Sequence, residues 1–349
     1  MVLFCLNKII MATYDDRFSY AYNRILDLTA VGSIMVKPLC IYIIIKKTPK
    51  CMKTVSYFFL NELVCNLAGN LLFTLGHPLP MMPAACIRMD GLAGTVLKSE
   101  EQRLAYYLII VFTIFHYPLC LFSTFLFRYL SLAFKSTISR FHRGWGYLIC
   151  ALTHLILVLF FVSLFALWWT PIRDYPKDDL PDNVENLFCF HPDGITIDLI
   201  EYLYVGWFTV GTVAIVLLAV LCVRELRLKR HLMQERTLNI QKEILKNLVI
   251  ITSTAVLLGG LPVIFIVFYL CNGKLPFARE ITSCLMLFVL NYGTLYAILI
   301  LMLFKSYRKA AADIVGSLMS MLKRMVSLAQ PSSDVSPNVV LHRVNDLKY

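Results

Sequence analysis

The residues of this chain with chemical capability are few and lie inside long apolar runs. Glu62, Asn66 and Asn70 follow one another at intervals of four, with Asn61 beside the first, and that spacing sets them on one face of a helix. Lys37 lies in the preceding run at a depth similar to that of Glu62, taking about 1.5 Å of rise per residue. A lone charge in hydrocarbon is costly, so a Lys37 to Glu62 pair is expected between these two helices. Polar groups at such depth turn toward neighbouring helices or water. There they fix packing through interhelical hydrogen bonds, the more ordinary role, or line a ligand or ion path.

A second set combines aromatic faces with polar tips: Tyr106, Tyr107, His116, Tyr117, Tyr202, Trp207, Phe265, Tyr269, Asn291 and Tyr292. This is the composition of a small-molecule pocket, although each residue alone also reads as packing or an interfacial anchor. His116, mid-run, is either a pocket contact or a hydrogen-bonded helix contact. Nothing supports catalysis. The chain has no His-Glu-x-x-His helix, Cys-x-x-Cys pair, Gly-x-Ser-x-Gly elbow or phosphate loop, and so implies no enzyme, cofactor or metal.

The elements that must position these residues are membrane helices. Apolar residues make up 58% of the 349 positions and charged residues 16%, against about 25% charged in soluble domains. Runs long enough to cross hydrocarbon fall at 25–45, 55–75, 104–127, 145–168, 198–223, 248–271 and 281–304. The expected fold is thus an all-α seven-helix bundle over 25–304, preceded by an external stretch 1–24. Lys and Arg concentrate in the first, third and fifth connections and after the last run, more than twice as often as on the opposite side. By the positive-inside rule the N-terminus is external and the tail cytoplasmic. The net charge of +11 follows from this topology, with anionic lipid as a further partner. The dispersed basic residues argue against nucleic acid. Acidic residues collect in the long fourth connection, at Asp174, Asp178, Asp179, Asp182, Glu185 and Asp193.

On the external side lie Cys86 and Cys189, with Cys271 and Cys284 near the last outer connection. A Cys86 to Cys189 disulfide is expected, though spacing does not fix connectivity. The basic segment 224–247 carries apolar residues at helical spacing, so the fifth and sixth helices should extend beyond the membrane. Residues 305–328 set Ile314, Val315, Leu318, Leu322, Met325 and Val326 on one face and predict an interfacial amphipathic helix. Residues 329–349 are expected to be disordered.

Seven runs, an external N-terminus and basic inner connections match the plan of G-protein-coupled receptors. The rhodopsin-type signatures are incomplete: Phe127-Arg128-Tyr129 lacks the acidic residue, and the last run lacks Asn-Pro-x-x-Tyr. Lys47-Thr48-Pro49-Lys50-Cys51-Met52, Gln241-Lys242 with Leu248 and Pro262, Gly293 followed by Tyr307-Arg308, and Cys189 resemble the nematode serpentine chemoreceptors of class H, within the larger Str group. Ile251, Ala297 and Ser306 depart from that pattern, where the family has glutamine, threonine and proline.

The resemblance implies a chemosensory receptor in the cell membrane, that of a sensory cilium included, that binds an external small-molecule ligand and signals to a heterotrimeric G protein. Arg128, Arg140, Arg143, Arg227, Lys229, Arg230 and Lys242 would face the G protein, and Pro262 would bend the sixth helix. A transporter or channel using Glu62, Asn66 and Asn70, and a receptor-like protein without signalling, are the rival readings.

Overall fold

The computed structural model describes residues 2–49, 52–134, 143–177, 180–181, 183–232 and 234–329, without the side chains of 2–16, 54, 115, 117, 143–147, 149–150, 232, 236, 318, 322 and 326–329. Seven helices among them are long and apolar enough to cross a membrane. In chain order the helices that hold these spans are Val2–Lys47, Lys53–Gly76, Glu100–Ala133, Arg143–Trp168, Ile195–Leu228, a sixth helix in two parts, and Ala278–Leu303.

The first helix runs unbroken from Val2 to Lys47, with no glycine or proline before Gly32, and its apolar membrane-length part covers Arg17–Lys47. The third begins at a reciprocal cap, in which Gln102 N–H donates to Ser99 Oγ and Ser99 N–H donates to Gln102 Oε1. Glu100 and Glu101 sit in its first turn, complementing the positive end of the helix dipole. The fifth helix extends to Leu228 and continues as the short turn Lys229–Leu232 before the sixth begins at Glu235, as the apolar spacing of that segment anticipates.

The sixth helix is interrupted. Glu235–Ala255 passes into a π-turn over Val256–Gly260, followed by Leu261–Cys271 with Pro262 near its start. Leu261 N–H reaches back to Val256 O. Pro262 has no N–H to donate and consecutive glycines stabilise α geometry weakly, so the wider turn falls where the helix is least able to stay regular.

At one end of the bundle the connections form a four-stranded antiparallel sheet, which apolar periodicity does not predict. Its strands are β1 (Pro78–Pro80), β2 (Cys86–Met89), β3 (Trp169–Thr170) and β4 (Leu187–Phe190), in the order β1-β2-β4-β3. Cys86 opposes Cys189 across β2 and β4, and the two form a disulfide with a Cα–Cα distance of 4.0 Å. Beneath the sheet, Tyr107, Phe165, Phe188, Phe190 and Trp168 pack ring against ring. Arg88 and Ser19 both bind Asp90, tying the first helix to the same end.

The opposite end is basic. A buried core of Ile43, Phe59, Phe125, Leu226, Leu248, Tyr296 and Phe304 fills it. Beyond a break at Phe304 the helix Lys305–Ala329 turns away. Ile314 packs on that core while Val315 and Met325 are exposed. The tail from residue 330 lies outside the described residues.

Candidate functional site

A polar seam joins the first, second and seventh spans. Lys37, fully buried, donates to Asn66 Oδ1. Tyr296 donates to Glu62 Oε2 at 2.5 Å, and Asn70 Nδ2 donates to Ser33 Oγ at 3.2 Å and Leu290 O at 3.0 Å. The expected pairing of Lys37 with Glu62 is therefore corrected to Lys37 with Asn66 and Glu62 with Tyr296. Side chains lean toward the N-terminus of their own helix. In antiparallel neighbours the two leans diverge, so Lys37 meets the residue one turn beyond the one at its own depth.

Gly293 makes this arrangement possible. A Cβ at that position would overlap the Asn66 amide, so the absence of a side chain on the seventh helix admits Asn66 into contact with its backbone. Two motif residues meet directly: Thr48 Oγ1 and Tyr307 OH are 2.8 Å apart, joining the first connection to the C-terminal helix. Ile251 and Ala297, two departures from the family pattern, are both fully buried, where an apolar side chain needs no hydrogen-bond partner.

Beside the seam is a cavity of about 70 Å³ lined by the second, third, fifth, sixth and seventh spans. At ~10–15 Å³ for each water, it has room for a handful of waters or a small compound. Asn66, Asn70, Thr113, Thr212 and Tyr292 put polar groups on its wall, and the remainder is apolar, including Phe73, Phe208 and Val263. Ala255, Val256, Gly259 and Gly260 bring the π-turn directly to it.

Of the aromatic set singled out in the sequence, Tyr292 lines this cavity. Tyr106 instead donates to Leu72 O at 2.5 Å, and Tyr107 belongs to the ring cluster under the sheet. Trp207 packs on Phe161, Tyr269 on Phe268, and Asn291 donates to Thr29 Oγ1. Tyr202 and Phe265 point outward, 77% and 46% exposed. His116 faces Asn61, Cys120 and His154. Tyr117 has its side chain outside the described residues. Gly69, Thr113, Phe208, Thr212 and the glycine pair were not singled out; Pro118 and Gly259-Gly260, helix-breaking residues inside apolar runs, were the available signal.

At the basic end Arg128 is 7% exposed, and its Nε and Nη2 have no hydrogen-bond partner among the described residues. Lys229 is committed elsewhere: its Nζ donates to Leu132 O and Ala133 O, satisfying the last carbonyls of the third helix. Arg227, Arg230 and Lys242 are exposed. Arg140 and the Arg143 side chain lie outside the described residues.

The family model for the serpentine type 7TM GPCR chemoreceptor Srh matches residues 18–317, from the first span into the C-terminal helix. No match is found among curated proteins. That match, the seven spans and the meeting of the motif segments lead to one assignment: the chain is a multi-pass membrane protein that belongs to the Srh family of nematode serpentine seven-transmembrane chemoreceptors, a G-protein-coupled receptor family.

Proposed function

We propose that the chain binds an external small molecule in the central cavity and transmits its occupancy to a heterotrimeric G protein at the basic end. The observation that carries this reading is the contact between cavity and π-turn: the wall includes Val256, Gly259 and Gly260, the part of the sixth span where α hydrogen bonding is interrupted. A ligand shifts a conformational equilibrium only if it binds one arrangement better than another, and a wall built from an irregular turn differs between arrangements more readily than a regular helix does. The mainly apolar lining favours a small, mainly apolar compound carrying one or two groups that hydrogen-bond Asn66, Asn70 or Tyr292.

In this reading the sheet end is extracellular, and Arg128, Arg227, Arg230 and Lys242 face the G protein. Arg128, buried with donors that find no partner among the described residues, is the group with most to gain from a carbonyl or carboxylate supplied by a partner. Lys229 is excluded from that role by its capping bonds. The C-terminal helix lies along the cytoplasmic leaflet through its apolar side.

The test is ligand-promoted nucleotide exchange on a G protein by the protein reconstituted in vesicles, with ion flux recorded in parallel. Exchange is expected without flux. Flux without exchange would overturn the receptor reading in favour of a channel or transporter.

A further inference from the structure

Away from the cavity, where the second, third and fourth spans meet, the bundle holds another chemically capable group. His116 and Cys120 are one turn apart on the third span and His154 faces them from the fourth, with all three ligating atoms within 4.8 Å of one another. Cys120 Sγ lies 3.1 Å from His116 Nε2 and 3.9 Å from His154 Nε2, and the two imidazole centroids are 4.5 Å apart. Asn61 of the second span completes the group, its Nδ2 at 3.0 Å from His116 Nε2 and 3.1 Å from Cys120 Sγ.

These separations suit a common ion. Ligands at about 2.0–2.3 Å from a tetrahedral centre stand roughly 3.3–3.8 Å from one another, and the two sulfur–nitrogen distances bracket that range. Two imidazoles with a thiol select Zn2+ or Cu+ over Mg2+ and Ca2+, which prefer oxygen. The amide of Asn61 is oriented only by its partners, and a half-turn presents Oδ1 in place of Nδ2. His116 lies near the middle of the third span, Glu100–Ala133, where polar side chains need satisfied partners. His116 Nδ1 has no hydrogen-bond partner among the described residues, so the polar contacts that orient this ring run through Nε2, toward Cys120 and Asn61.

We propose that His116, Cys120 and His154 bind one transition-metal ion, Zn2+ or Cu+, with Asn61 Oδ1 in the fourth position. Binding replaces the S–H bond of Cys120 with a sulfur–metal bond and releases one proton, while each imidazole gives a lone pair, so no electron is transferred. The ion braces the third span to the fourth, whose most apolar window is only 22% buried. The proposal is independent of the receptor's ligand and of G-protein coupling.

The experiment uses the full chain, carrying a tag without histidine, in lipid nanodiscs. Samples are incubated with Zn2+, with Cu+ under ascorbate, or with Co2+, then desalted. About one equivalent of Zn2+ or Cu+ is expected to remain, and Co2+ should give an intense near-ultraviolet sulfur-to-metal band. Cys120→Ala removes that band and the retained equivalent, and His154→Ala weakens retention at least about tenfold, since outer partners alone are worth 10–100-fold. Retention of only one of the two ions identifies the ion. Folded wild-type protein, judged by its melting transition, that retains neither ion overturns the proposal whatever the variants do. So does retention that is unchanged in a Cys120→Ala protein with a wild-type transition.

Discussion

A methyl group added at Gly293 would enter the volume of the Asn66 amide, which the Lys37 ammonium also holds. Gly293→Ala should therefore lower stability by about 1–3 kcal/mol, the usual cost of overpacking, and Asn66→Ala in the same chain should recover part of it. Melting temperatures of the single and double variants in detergent check this. The seam makes a second expectation at this scale. Lys37→Met with Asn66→Ala, and Glu62→Gln with Tyr296→Phe, should each show coupling of roughly 0.5–3 kcal/mol, while Lys37→Met with Glu62→Gln should be closer to additive. Additive effects in the first two cycles would contradict the pairing in the structure. That polar residues of the first two helices face each other was legible from their spacing and depth. The partner of each was not, because counting residues along an axis gives the depth of a Cα and not the direction in which a side chain leans.

Among the elements, the sixth span offers the most direct intervention. A Cβ at Gly260 meets open space on the cavity wall. Gly260→Leu should leave expression and melting near wild type and lower the potency of a cavity ligand in nucleotide exchange by about tenfold or more, since 1.4 kcal/mol of lost contact suffices. Unchanged potency would move the ligand out of this cavity. The disulfide offers another. Cys86 and Cys189 are 103 residues apart, and replacing both with serine should cost about 2–5 kcal/mol, read as a lower melting temperature. The helices were legible because apolar runs of membrane length carry a strong, continuous signal. The sheet was not: its strands span two to four residues, too few to show a period, and they form only because the disulfide partners and buried rings bring distant connections together. The π-turn was half visible, since Pro262 and the glycine pair mark an interruption without saying what shape it takes.

For the whole molecule, orientation is the property on which the functional reading depends, and it can be tested with one added glycosylation site. Glu185→Thr completes Asn-Val-Thr at Asn183 in the long connection beside the sheet, and Gln241→Thr completes Asn-Ile-Thr at Asn239 in the basic segment. Only the first should gain glycan, seen as an endoglycosidase-sensitive mobility shift; the reverse pattern would invert the bundle. Charge distribution carries the expected orientation in the sequence, whereas the cavity depends on how five helices lean together and no single segment carries it. The π-turn also sets the rotational phase of the span beyond it. A turn over Val256–Gly260 closed by a bond from Leu261 back to Val256 holds one residue more than an α-turn. Removing one codon there would restore regular winding and rotate the half of the span nearer the sheet by about 100°, one residue's share of a turn. A chain one residue shorter at this point would present a different set of side chains to the same cavity, so deletion of a single residue there is expected to change which compounds drive nucleotide exchange while leaving the span intact.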